Sequence, residues 1–161
     1  MTPPSASTLR ELLRPPPHRG PLIAAGTVLL TTGLALLQLR TDLASGWHAV
    51  ILGAVAILVL ELGIQAPNEG GRPPAYQSVL LVCGLLILYV ALLRLAAAFG
   101  ASVLAPGALV WTGLLEAVAA SWIAAYRRSA VCALIAAVAS GIAVLATIEW
   151  IFDPDGFGAA R

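Results

Sequence analysis

Apolar residues in this 161-residue chain fall into five long runs: Pro21 to Leu39, Trp47 to Ile64, Ser78 to Phe99, Pro106 to Tyr126 and Ala130 to Phe152. An α-helix rises about 1.5 Å per residue, so each run is long enough to cross a hydrocarbon core about 30 Å thick. The pattern predicts an all-α, polytopic membrane protein. Its core is a bundle of five transmembrane helices in a single domain over residues 21–152, with spans of about 21–39, 47–64, 78–99, 106–126 and 130–152.

Breaker residues set the ends of these spans. All eleven prolines lie outside the span interiors, and Pro21 and Pro106 occupy first helical positions, where a missing N–H costs nothing. Continuous helices are expected. Pro67, Pro73 and Pro74, with Asn68, Gly70 and Gly71, mark Gln65 to Gln77 as the longest internal loop. Arg127, Arg128 and Ser129 leave room only for a very tight turn between the last two spans.

Residues 1–20 carry Pro3, Pro4, Pro15, Pro16 and Pro17 among Ser, Thr and Arg, a composition that cannot bury enough apolar surface to fold alone. They are read as a flexible cytoplasmic tail. The run from Pro21 is longer than a signal-peptide core, and Gln38, Arg40 and Asp42 follow it instead of a small-residue cleavage site, so it is expected to be a retained first span. Residues 153–161 form a short external tail. Its Asp153-Pro154-Asp155-Gly156 lacks the further ligands of a calcium loop and reads as a helix-terminating turn.

Composition agrees with the runs. The chain is 60% hydrophobic and only 11% charged, with a mean hydropathy of +0.92. About a quarter of the residues of a soluble domain are charged. A formal net charge of +1 predicts no nucleic-acid partner. All nine basic residues are arginine, which fits the codon bias of a GC-rich genome and, as an alternative, bidentate binding of lipid phosphates. Cys83 and Cys132 lie within spans and read as small buried hydrophobes, with no disulfide framework or zinc site.

Arginine asymmetry gives an orientation. With the N-terminus inside, Arg10, Arg14, Arg19, Arg72, Arg127 and Arg128 are cytoplasmic, and only Arg40 and Arg161 are external. That bias predicts N-in, C-out in a bacterial inner membrane. The aromatics form two belts in the same topology, with Trp47, Trp111 and Trp150 at the outer interface and Tyr76, Trp122 and Tyr126 at the inner one.

Small residues suggest how the helices meet. Gly113, Ala117, Ser121 and Ala125 recur every four residues in the fourth span, as do Ala133, Ala137 and Gly141 in the fifth. Such stripes let backbones approach closely in lipid, and they predict an antiparallel hairpin of the last two spans. The segments Val28 to Leu34 and Val79 to Leu85 resemble each other, which suggests a parallel repeat of spans one and two as three and four.

Four ionisable residues lie inside the runs: Glu61, Arg94, Glu116 and Glu149. A charge at mid-membrane costs a few kcal/mol or more, which makes each a candidate functional residue that faces protein or water. By helical rise, Glu149 lies about 5 Å, Arg94 about 8 Å and Glu116 about 15 Å below the outer boundary, and Glu61 lies about 5 Å from the inner one. Arg94 is expected to pair with Glu149, which continues the small stripe of the fifth span, or with Glu116. Glu61 is expected to reach headgroups or the arginines of the tight turn. Glu116 is expected to be a protonated side chain hydrogen-bonded to a neighbouring helix, and a protonatable carboxyl at that depth suits proton coupling as the alternative. His48 is expected at the outer interface, where an external-pH sensor is the alternative.

No CxxC, HExxH, GxSxG or P-loop occurs, so neither catalytic nor metal nor cofactor-binding residues are assigned. The expected partners are the lipid bilayer and other membrane subunits or further copies of the chain. The expected role is that of a non-enzymatic accessory or assembly subunit, or a small homo-oligomer. A proton- or ion-coupled transporter or channel using Glu116 with Arg94 and Glu149 is the alternative.

Overall fold

A computed structural model describes residues 20–40, 44–66, 74–102 and 104–152. The N-terminal tail 1–19, the linker positions 41–43 and 67–73, residue 103 and the ending 153–161 lie outside the described residues. With them lie Arg10, Arg14, Arg19, Arg72 and Arg161 of the orientation argument, and the Asp153 to Gly156 turn.

Five α-helices account for nearly all of the described chain: α1 (Gly20–Arg40), α2 (Ser45–Gln65), α3 (Ala75–Ala98), α4 (Pro106–Arg127) and α5 (Ala130–Phe152). All five are long and apolar enough to cross a membrane. The bounds of α5 coincide with the apolar run, and α4 starts on Pro106, whose fixed φ suits the first helical turn. The largest difference is at α3, which starts at Ala75 and not at Ser78. Pro74 precedes it in extended backbone, and Tyr76 and Gln77, too polar to extend an apolar run, continue the helix. Gly100, at φ 84°, follows the end of α3 in the left-handed region that glycine tolerates best.

The helices pair unequally. α2 and α3 form one closely packed antiparallel hairpin and α4 and α5 a second, while α1 rests mainly on α3 and scarcely meets α2. α3 is the hub, because it touches each of the other four. The two hairpins join through a cluster of Leu60, Leu81, Leu85, Ala120, Ile123, Cys132 and Ala136, drawn from α2 to α5.

Each hairpin is closed in its own way. Between α2 and α3, glycines act as notches for leucines: a Cβ on Gly84 would stand 2.7 Å from Cγ and Cδ2 of Leu60, and one on Gly63 would stand 2.8 Å from Leu81 Cδ2. Between α4 and α5 the backbones themselves approach. A Cβ on Gly113 would lie 3.2 Å from both the Ala139 carbonyl oxygen and Ala143 Cβ. The link from α4 to α5 is short. Arg128 stops α4 in the left-handed conformation at φ 52°, and Ser129 caps α5 by accepting the Cys132 N–H at 3.4 Å on its Oγ.

Large apolar side chains cover the outside of every helix, among them Leu29, Ile57, Leu86, Val118 and Leu145. Monomeric soluble proteins do not expose contiguous apolar surface on this scale, whereas lipid tails accept it. Hydroxyls inside the spans bond back to their own helices, as Thr27 does to the Ile23 carbonyl at 2.8 Å, Thr112 to Ala108 at 2.7 Å and Thr147 to Ala143 at 2.7 Å.

Candidate functional site

Among the four intramembrane ionisable residues, Glu116 is the most deeply enclosed, with 3% of its surface exposed. It sits near the middle of α4, on the face that carries Thr112, Gly113, Ala117 and Ala120 toward the other helices. Its Oε2 has no hydrogen-bond partner among the described residues. Tyr89 of α3 lines the same cleft of about 330 Å³, together with Leu86 and, from α5, Leu134, Ile135, Val138, Ala139 and Ile142. A carboxyl and a phenol therefore share an otherwise apolar space.

Arg94 does not meet Glu149 or Glu116. Its Nε donates to Gln38 Oε1 at 3.0 Å, which ties the end of α1 to the end of α3. The reason lies in the neighbour relations: α1 lies against α3, so an amide from α1 reaches Arg94 and satisfies one of its donors. Glu149 is half-buried near the end of α5, with no ion pair to Arg94 among the described residues. Glu61 likewise meets neither Arg127 nor Arg128; it accepts a hydrogen bond from Gln65 one turn along α2.

Arg127 has a different acceptor at the same end of the bundle. Its Nη2 donates to the Ala66 carbonyl at 2.7 Å, and Gln77 Nε2 donates to the Gly63 carbonyl at 2.9 Å. The last carbonyls of a helix have no partner within it, and they carry the negative end of its dipole. α2 thus receives two side-chain donors at its C-terminus, one from α3 and one from α4. Sequence reading missed Gln77 because it counted that residue as loop. It missed Gln38 because an uncharged amide does not advertise itself as the partner of an arginine.

The small-residue stripes divide. Gly113 and Ala117 are buried against α5, while Ser121 and Ala125 are exposed. On α5 the buried positions are Cys132, Ala136, Ala139, Ala143 and Ala146, and Ala133, Ala137 and Gly141 lie on the outward face. Helical geometry explains the shift. At 3.6 residues per turn a strict four-residue spacing rotates by about 40° at each step, so the α4 stripe leaves the contact face within three steps; the α5 stripe, one residue out of phase with Cys132 and Ala136, starts about 100° off that face, which alternating steps of three and four hold. His48, expected at the interface, is buried near the start of α2. Cys83 and Cys132 are both buried free thiols. Trp122 and Tyr126 stack at 5.6 Å on the exposed side of α4.

Fold and site together define a multi-pass helical membrane protein with, among the described residues, one buried, incompletely partnered carboxyl. Compared with protein families, curated proteins and solved structures, the chain matches none.

Proposed function

We propose that this chain is a non-enzymatic bacterial inner-membrane protein, N-terminus cytoplasmic and C-terminus external, that works through helix packing. It serves as an accessory or assembly subunit of a larger membrane complex, or as a small homo-oligomer. The observation that carries this reading is the use made of polar side chains: Gln77, Arg127, and Arg94 with Gln38 each fasten one helix to another. Polar groups in transporter interiors more often line a substrate path. The arginine bias supports the orientation.

Affinity capture from a mild detergent extract, followed by native mass measurement, tests the reading. A defined multiple of the 16.5 kDa chain, or a stoichiometric second subunit, is expected. A clean monomer that brings down no partner would overturn it.

Glu116 favours a second reading, coupling of an ion or proton to transport, because its buried Oε2 is not used to join helices. In that case Glu116→Gln abolishes a pH-dependent flux in proteoliposomes and leaves the fold intact. Arg94 is engaged with Gln38, so this reading rests on Glu116 without an outer gate. Absence of flux in the unmodified protein across a broad substrate panel would sink it.

A further inference from the structure

The gap between α3 and α5 has one carboxyl in its lining, that of Glu116, whose Oε2 is buried and without a partner among the described residues. These two helices touch only briefly, and α4, which packs on both, supplies the floor on which Glu116 sits. Leu86 on one side and Leu134 and Val138 on the other stand at the rim, each more than half exposed, so the cleft opens sideways onto the surface that lipid covers. Its volume of about 330 Å³ is in the range of small-molecule sites.

We propose that this cleft binds a monovalent, lipophilic organic cation, with the Glu116 carboxylate turning from its buried position to act as acceptor, Tyr89 beside the charge and the Leu86 and Val138 rim around the apolar body. An ionised carboxylate is a pure acceptor, and its charge is costly at mid-membrane unless a cation is paired with it. An ammonium supplies that charge together with a donor for Oε2, whereas a neutral alcohol supplies only the donor. The Tyr89 ring adds a face suited to a cation. Tyr89 is the sole other titratable residue lining the cleft among the described residues, since α5 contributes only apolar side chains there.

A bare inorganic cation is a poor fit, because it needs several oxygen ligands and the cleft offers one carboxyl and one phenol. Lipid headgroup amines are excluded by depth: Glu116 lies about 15 Å along α4 from Pro106, about half the thickness of the hydrocarbon core. The inference stands apart from both functional readings, since binding here requires neither a partner subunit nor a flux.

The test uses the full chain in phosphatidylcholine nanodiscs, titrated calorimetrically with benzylammonium and, as a neutral counterpart of similar shape, benzyl alcohol. Saturable one-to-one binding of benzylammonium is expected, at least about tenfold tighter than that of the alcohol. Glu116→Gln should weaken it by about tenfold or more while the circular dichroism spectrum stays unchanged. Val138→Trp, at the exposed rim, should obstruct the mouth and weaken binding with the carboxyl intact, and it decides the matter if the Glu116 variant fails to fold. No saturable binding, equal binding of the alcohol, or full binding by Val138→Trp and Glu116→Gln would overturn the proposal.

Discussion

The two hairpins of this bundle solve one problem by different means. α2 and α3, separated in sequence by a nine-residue link, are keyed together by side chains: leucines enter notches at Gly63 and Gly84, and the Gln77 amide reaches the Gly63 carbonyl. α4 and α5 are joined by Arg128 and Ser129 alone, and their backbones meet along Gly113, Ala139 and Ala143 with small side chains between them. A short link holds two helices near each other whatever their surfaces, so small residues suffice there. A longer link leaves register to shape and to specific hydrogen bonds. In lipid this division matters more than in water, because apolar side chains gain little by leaving lipid tails and close fit must supply the attraction.

The α2–α3 hairpin is most vulnerable at its tightest notch. Gly84→Ala puts a methyl group 2.7 Å from Leu60 Cγ and 3.2 Å from the Leu60 backbone nitrogen, so α2 itself must shift. Overpacking of this kind costs about 1–3 kcal/mol. Reversible unfolding in mixed micelles should register that loss. Next comes Arg127→Met, which removes the donor to the Ala66 carbonyl and with it a fastening between the hairpins. About 1.5 kcal/mol is expected from a hydrogen bond with a charged donor, read by the same titration.

Gln77→Leu sharpens the difference between the hairpins, because it deletes the hydrogen bond while keeping the helix. Intramembrane hydrogen bonds average about 0.6 kcal/mol, and a loss of that size, confined to α2 and α3, should appear as faster amide exchange near Gly63. Gly141→Ala is the substitution that should cost nothing. Nothing stands within 4 Å of the added methyl group, so the same titration should show no loss of stability and at most a gain of about 0.5–1 kcal/mol from helix propensity.

Helix number and most helix ends were legible in the sequence, because length in apolar residues and proline placement act locally. The start of α3 was legible only in part, since Tyr76 and Gln77 extend the helix without adding to the apolar run. Which face of α5 meets α4 was harder. In an alanine-rich helix, Ala133, Ala137 and Gly141 look as suitable as Cys132, Ala136, Ala139, Ala143 and Ala146, although the two sets lie about 140° apart around the helix, because both faces carry the same small side chains.

The candidate site was legible to the same extent. Glu116 is conspicuous as a mid-span carboxyl, and its depth follows from counting residues. Its cleft was not legible, since the gap arises from α3 and α5 barely touching, a tertiary relation that no local pattern records. Arg94 shows the same limit from the other side. Complementary charge pointed to Glu149, but adjacency of α1 and α3 gave it Gln38, 56 positions away in the chain.

Disulfide trapping reports which face of α5 meets α4. In a background with Cys83→Ala and Cys132→Ala, cysteines replace Gly113 and Ala143, where a Cβ on residue 113 would lie 3.2 Å from the Cβ of residue 143, close to the separation of about 3.5–4.5 Å that a disulfide spans. Mild oxidation in the membrane should close an intrachain bond in the Gly113→Cys, Ala143→Cys protein and none in Gly113→Cys, Gly141→Cys. Bond formation to position 141 with none to position 143 would put the opposite face of α5 inside and contradict the account.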